Sequence, residues 1–325
     1  MRRNLICMVF VILLFVLFGD FIYSNFNFNK PSLIIGIDED RASEKNYIYY
    51  DFFMVRNALI GPDNLIYALD FKANTIYKFD LKGNFVGKYA RTGQGPGELN
   101  KATEFDFVGE ELWVANARNG RIEVFDKTGK DSSFRIEGME LPFSVASSGF
   151  FTIVMGGSFG NINIMDKNKK VVGEMKVENP MKFKRHKSLW SNGVAKNLHK
   201  SLFLGIFNYV PLVCTFDVKT REHKVYDLSE YYSIYEANNI SKSKGLPYGL
   251  AAINGCAGPD NTIFIVACDK KERCCGRLMQ FSADFKKKLK ETKLGFCVRD
   301  IRYYPKRKIM LFVTGEEEVR LFKDM

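Results

Sequence analysis

The chain has 325 residues, 46% hydrophobic and 14% aromatic, which is enough for a large core in one repeat domain or in two ordinary domains. Its 29 Phe and 15 Tyr favour sheet over helix. The net charge of +11 could attract acidic polymers, but no basic and aromatic motif of the RNA-binding kind accompanies it, so nucleic acid is not an expected partner.

The N-terminus has the pattern of an export signal. Two arginines precede an apolar run over residues 5–19. The run has the length and flanking charge of a secretory signal, and with residues 21–23 it approaches the about 17–25 residues of a membrane span. We therefore expect residues 1–28 to be a signal peptide or a retained membrane anchor, either of which places the remaining domain, residues 29–325, outside the cytoplasm (in the periplasm or cell envelope).

Residues 112–129, LWVANARNGRIEVFDKTG, contain a unit that recurs along the chain. A short apolar strand is followed by Asn-Gly turn chemistry, a second strand and a second turn. The second strand of each copy ends in a large apolar anchor, and successive anchors are 40 to 65 residues apart: Phe79, Phe125, Met165, Phe216, Phe281 and Phe322. An aspartate follows four of them and is expected to form the turn rather than act as a catalytic acid: Asp80, Asp126, Asp166 and Asp217.

Six such units predict an all-β fold, a six-bladed β-propeller, because propeller blades repeat every about 40–50 residues. One unit cannot bury both faces of its sheet, whereas radial stacking buries them against the neighbours. The last unit lacks an outer strand, so residues 32–38 or 47–55 are predicted to supply it and close the ring. Two β-sandwiches are the alternative arrangement. Residues 178–201 and 229–246 are predicted to be loop insertions on one face.

Residues 91–99, RTGQGPGEL, form a glycine-rich loop between the first two units. The loop has Glu98 at the sixth position of the Gly-x-Gly-x-x-Gly dinucleotide-binding motif, where that motif requires glycine, and it lacks the Gly-Lys of a P-loop. It is therefore predicted to be a tight surface loop. Its position and pattern resemble exported bacterial six-bladed propellers related to NHL-repeat and TolB-like proteins, through Gly93, Gly95, Pro96, Gly97, Glu98 and Leu99. The resemblance covers roughly residues 32–325 and implies an extracytoplasmic propeller, usually without a known activity. The lipid-attachment cysteine of most such proteins is missing here.

No catalytic constellation has local sequence support. The three histidines are His186, His199 and His223, and no nucleophile or carboxylate pattern accompanies them. We therefore predict a binding or interaction module without a cofactor, rather than an enzyme, that recognises a protein or a glycan through its loops. The candidate binding residues are Arg91, Gln94, Glu98, Arg118 and Trp190.

The alternative is a metal-dependent, calcium-type hydrolase or lactonase, a chemistry known on six-bladed propellers. Such enzymes hold the ion in the central channel with Glu, Asn and Asp side chains from several blades. The candidate ligands, chosen by position in or before inner strands, are Glu104, Asp106, Asn254 and Asp300.

Six cysteines follow the N-terminal segment, and an exported protein can pair them in up to three disulfides. Cys268 would face Cys274 or Cys275 across a hairpin turn. One disulfide is predicted there.

Overall fold

The computed structural model describes residues 26–156, 161–177, 193–207, 212–228, 230–231, 252–267 and 276–323. Within these ranges the chain consists of β-strands joined by turns and short 3₁₀ segments, without an α-helix. No helix in the described part of the chain is long and apolar enough to cross a bilayer. The predicted signal or anchor lies almost entirely outside the described residues.

Two short strands, β1 (Leu33–Gly36) and β2 (Tyr47–Tyr49), precede the blades. Blade 1 comprises β3 (Val55–Ile60), β4 (Ile66–Asp70), β5 (Thr75–Phe79) and β6 (Phe85–Tyr89). A small parallel pair follows, β7 (Arg91–Thr92) and β8 (Glu98–Leu99). Blade 2 comprises β9 (Ala102–Val108), β10 (Glu111–Asn116), β11 (Arg121–Phe125) and β12 (Asp131–Phe134). Blade 3 comprises β13 (Pro142–Ser147), β14 (Thr152–Gly156), β15 (Asn161–Met165) and β16 (Val171–Lys176).

Blade 4 comprises β17 (Gly193–His199), β18 (Leu202–Phe207), β19 (Leu212–Asp217) and β20 (His223–Asp227). Blade 5 comprises β21 (Ala252–Ala257), β22 (Ile263–Ala267), β23 (Arg277–Phe281) and β24 (Lys288–Lys293). Blade 6 contains β25 (Val298–Tyr304), β26 (Ile309–Thr314) and β27 (Val319–Lys323).

The blades form a ring around a central channel. In each blade the strands pair antiparallel in sequence order, and the first strand is innermost. Each innermost strand contacts the innermost strand of the next blade, and β25 of blade 6 contacts β3 of blade 1. The fold is therefore an all-β, six-bladed β-propeller, as predicted, and the two-sandwich alternative is wrong.

The sheet of blade 6 takes strands from both ends of the described chain. β1 pairs antiparallel with β27, with Leu33 opposite Leu321 and Ile35 opposite Val319, and β2 pairs parallel with β1. Ile35 is fully buried and belongs to the apolar cluster that blade 6 shares with blade 1.

The predicted anchors end the third strand of their blades or, in blades 4 and 6, stand one residue before its end, and all six are buried. They belong to six apolar clusters, each of which combines residues of two neighbouring blades. Burial of one such side chain contributes about 1.5–3 kcal/mol, so the contacts between blades are a main source of stability. The aspartates after the anchors form turns, as predicted; Asp126 Oδ1 accepts the N–H groups of Thr128 (2.8 Å) and Lys130 (3.0 Å).

One element was assigned incorrectly from the sequence. Residues 193–199, placed in a loop insertion, form β17, the innermost strand of blade 4. The buried Lys196 in its middle gave this segment the appearance of a solvated loop. The rest of that insertion, residues 178–192, lies outside the described residues, as does nearly all of 229–246.

Candidate functional site at the channel and the connecting face

The loops between blades define one face of the propeller. In every blade the innermost strand begins at the face where the outer strand of the preceding blade ends. We call this the connecting face. It also carries the turns between second and third strands, such as residues 71–74 and 117–120. The described residues that flank 178–192 and 232–251 lie at this face as well, because both segments join an outer strand to the next innermost strand.

Five innermost strands carry a buried polar side chain at their third residue. These residues are Asn57, Glu104, Ser144, Asn254 and Asp300, none more than 3% exposed. In all five strands the register skips the residue just before the polar one, which is a β-bulge at an equivalent place. Bulges re-aim side chains. The repeated bulge therefore sets a polar ring around the channel, close to the connecting face.

The sixth innermost strand, β17, contributes Lys196 instead. Its ammonium Nζ lies 2.8 Å from Glu104 Oε1 and 3.0 Å from Asp300 Oδ1. These three residues come from blades 4, 2 and 6, which do not neighbour one another in the ring. The contacts therefore span the channel.

Further hydrogen bonds complete this buried network. Arg302 Nη2 donates to Glu104 Oε1 (3.0 Å), and Asn254 Nδ2 donates to Asp300 Oδ1 (2.7 Å). The N–H of Ala58 in blade 1 donates to Asp300 Oδ2 (3.3 Å). Charged groups can stay buried only when such partners replace water. The network therefore holds five blades together at the axis, blades 1, 2, 4, 5 and 6.

The predicted calcium ligands meet only in part. Glu104 and Asp300 converge, but on the Lys196 ammonium, and Asn254 joins them through its hydrogen bond to Asp300. The Asp106 carboxylate instead accepts the N–H groups of Phe107 and Ser147, both at 2.9 Å. Within the described ranges no group of three or more His, Cys, Asp or Glu side chains is placed to hold a metal. A divalent ion would have to displace Lys196, so this arrangement does not fit one.

Three polar groups in or beside the network have unusual surroundings. Burial raises the pKa of Asp106, although the Arg302 guanidinium opposes the shift. Burial alone would lower the pKa of Arg302, but the carboxylates of Asp300, Asp106 and Glu104 outweigh it and raise that pKa. Asn57 is 2% exposed, and neither atom of its amide has a hydrogen-bond partner among the described residues.

The glycine-rich loop is fixed to the connecting face by its own side chains and by blade 2. Glu98 accepts the N–H of Gly95 (2.8 Å) and the Arg91 Nε–H (2.8 Å), and these contacts lower its pKa. Arg121 donates to the carbonyls of Gln94 (2.9 Å) and Gly95. The prediction of a tight surface loop is confirmed.

A crevice of 740 Å³ runs beside this loop between blades 1 and 2. Its lining combines four cations, Lys78, Lys88, Arg91 and Lys127, with two aromatic rings, Tyr89 and Phe125. The Lys78 ammonium lies 4.3 Å from the centroid of the Tyr89 ring. The crevice is thus a polar, basic groove rather than an apolar pocket.

The structure separates the predicted binding residues into two groups. Arg91 and Glu98 line the crevice, and Gln94 and Arg118 are exposed nearby at the connecting face. Trp190 lies outside the described residues. His199 is exposed at the end of β17, and His223 lies on the outer strand of blade 4.

The cysteines likewise divide by position. Cys214 and Cys256 are buried free thiols, and Cys297 is disulfide-bonded. The predicted bridge between Cys268 and Cys274 or Cys275 falls outside the described residues.

Sequence reasoning missed Asn57, Ser144, Lys196 and Arg302. The signal for Asn57 and Ser144 is a polar residue at the third position of an otherwise apolar strand in successive repeats, whereas Lys196 and Arg302 stand one and two places further along their strands. That signal becomes visible only after the innermost strands are aligned with one another.

No family model matches the sequence, and no curated protein matches it. Solved structures resemble its fold. A catalytically inactive histidine-to-alanine variant of virginiamycin B lyase from Staphylococcus aureus, solved with quinupristin, has a TM-score of 0.58 at 11% identity, over 83% of this chain and 80% of that one. A streptogramin B lyase has a TM-score of 0.56 at 11% identity, over 90% of this chain and 93% of that one. The RRP9 WD40 repeats have a TM-score of 0.58 at 8% identity, over 83% and 94%. At these identities the similarity establishes the propeller fold alone.

Proposed function

We propose that this chain is an extracytoplasmic binding propeller, exported or anchored by residues 1–28, whose ring is closed by β1 and whose connecting face binds a protein. One observation carries the proposal: the charged groups at the centre of the channel are paired with one another through Lys196. A buried network whose charges are paired across the ring makes the channel a rigid scaffold. Binding then falls to the loops of the connecting face, where the glycine-rich loop and the exposed Arg91 and Arg118 lie.

The comparisons are compatible with a protein partner, because WD40 propellers are interaction modules. One similar chain comes from the structure of a mitotic checkpoint complex. A glycan is the other partner class that the sequence suggested.

The extracytoplasmic location is supported by the apolar run at the N-terminus and by the disulfide at Cys297. Disulfides persist in oxidising compartments and are rare in the cytosol. Labelling intact cells with a membrane-impermeant thiol reagent, after introducing a cysteine by Lys167→Cys, tests the location. We expect labelling of this exposed residue without cell lysis; labelling only after lysis of all membranes would contradict export.

Site-specific photo-crosslinking tests the binding face. A photoreactive residue is placed at position 118 on the connecting face and, as the matched control, at position 167 on the opposite face. We expect a discrete protein adduct only from position 118. Equal adducts from both positions, or none from position 118, would refute binding at the connecting face.

The calcium-type hydrolase remains distinguishable from this proposal. Metal analysis of the purified full chain, beside its Glu104→Gln variant, separates the two. We expect the ratio of bound divalent ion to protein chain to stay well below one in both proteins. A stoichiometric ion in the wild type that the variant loses would overturn the scaffold role of the channel.

A further inference from the structure

Five residues of blades 1 and 2 form what we call the cation–aromatic patch: Phe53, Phe71, Lys72, Lys101 and Arg118. The Lys101 ammonium lies 4.7 Å from the centroid of the Phe71 ring, and the Arg56 guanidinium lies 5.1 Å from the same centroid. Both distances allow cation–π attraction. The half-buried Phe71 ring thus holds a cation in place at the connecting face.

The backbone under the patch is fixed by hydrogen bonds. The Asp70 carboxylate is fully buried and accepts the N–H groups of Phe53 (2.6 Å) and Lys72 (3.1 Å), together with those of two chain neighbours. The N–H of Lys101 donates to Asn74 Oδ1 (2.7 Å). The N–H of Arg118 donates to the carbonyl of Asn100 (3.1 Å), which ties the turn of blade 2 to the same surface. The patch is therefore preorganised.

The positive charge of the patch is not neutralised locally. Lys72, Lys101 and Arg118 are exposed, and none forms an ion pair with a described carboxylate. Cations elsewhere on the surface do, as in the pairs of Lys127 with Glu110 (3.0 Å) and of Lys288 with Glu291 (2.7 Å). Asp70 makes its contacts inside the turn. Three unpaired cations beside two aromatic rings create a local field that favours an anion.

We propose that the cation–aromatic patch binds an acidic segment of a partner polypeptide, with carboxylates on the three cations and an apolar side chain against Phe53. The inference rests on the proposed function and names the chemistry of its partner. Phe53 is 64% exposed and offers apolar contact without hydrogen bonds. A sugar would need acceptors for its hydroxyls, and the Asp70 carboxylate under the patch already serves four N–H donors. Carboxylates and apolar side chains need only what the patch supplies.

Fluorescence anisotropy with the purified full chain tests the inference. The probe is a labelled twelve-residue peptide of glutamates with two phenylalanines, and heparin is the sulfated-glycan comparison. The test variant is Lys72→Glu/Lys101→Glu/Arg118→Glu. The matched control, Lys82→Glu/Lys167→Glu/Lys219→Glu, makes the same change in net charge on exposed turns of the opposite face.

We expect the affinity for the peptide to fall at least about tenfold in the test variant and less than about threefold in the control. The reason is that charges in direct contact with the peptide contribute more to binding than distant charges, whose attraction is screened by salt. If the triple variant fails to fold by circular dichroism, Arg118→Glu alone is expected to weaken binding about threefold.

Equal losses in the two triple variants, no binding of the peptide by the wild type, or tighter binding of heparin than of the peptide would overturn the inference. The proposed function fails separately, through the absence of adducts from the connecting face in the crosslinking experiment. Adducts at position 118 together with an unaffected triple variant would reject the patch and keep the binding face.

Discussion

Replacing Lys196 by methionine tests whether the buried network at the channel supports the ring. The change removes the ammonium but retains a flexible apolar side chain of similar length. Removing one partner of a buried ion pair costs about 3–5 kcal/mol because it leaves an uncompensated charge. Here Glu104 keeps Arg302 at 3.0 Å, and Asp300 keeps Asn254 at 2.7 Å, so we expect the lower end, about 3 kcal/mol. At about 2–4 °C per kcal/mol for a domain of this size, Tm should fall by about 6–12 °C.

Thermal unfolding followed by circular dichroism at neutral pH measures this effect. The control is the double variant Lys196→Met/Asp300→Asn, which removes one carboxylate charge with the ammonium and leaves Glu104 paired with Arg302. It should recover most of the lost stability, because the remaining carboxylate of the pair keeps a buried cation. A Tm for Lys196→Met within about 2 °C of the wild type, or a double variant no more stable than the single one, would refute the reasoning.

Three further predictions concern the glycine loop, the channel and the buried thiols. Gly97→Ala should lower the free energy of unfolding in urea more than Gly109→Ala. Both positions have positive φ, which costs a residue with a Cβ about 1–2 kcal/mol, but only at Gly97 would the Cβ also lie 2.6 Å from a neighbouring carboxylate oxygen, that of Asp131. Equal losses would show that the loop moves to make room. The pKa of Asp106 is raised in the folded protein. Its stabilising contribution is therefore fully present below the unfolded-state pKa, and it is lost as the pH rises through the folded-state pKa. Asp106→Asn should therefore gain Tm relative to wild type between pH 4 and pH 8, and a relative loss would contradict this. Burial raises the pKa of the Cys214 and Cys256 thiols to about 12. Because the thiolate is the reactive form, iodoacetamide at pH 8 should modify them slowly in native buffer and faster as urea is added. Labelling within minutes in native buffer would contradict this prediction.

Local pattern was sufficient for the blades. An apolar strand that ends in a large anchor and continues into an aspartate turn needs only neighbouring residues to be recognised, and Phe79 and Phe125 occupy equivalent places in blades 1 and 2. The period of these anchors predicted six units before any contact was known. Reliance on local pattern also explains the error at β17. A lysine in the middle of a short segment is typical of a solvated loop, and only the tertiary contacts of Lys196 show that it is buried in a strand.

The chain by itself determined the repeat, the strand order within each blade and the glycine loop, because hydrophobic alternation and turn chemistry act over a few residues. The centre of the channel was decided by tertiary structure. Lys196 meets Glu104 and Asp300 across 92 and 104 positions of sequence, and it does so because the closed ring brings blades 2, 4 and 6 to one axis. Both carboxylates were candidate calcium ligands, chosen by their position in inner strands. Which cation they hold depends on a side chain from a third blade, and no local pattern encodes that contact.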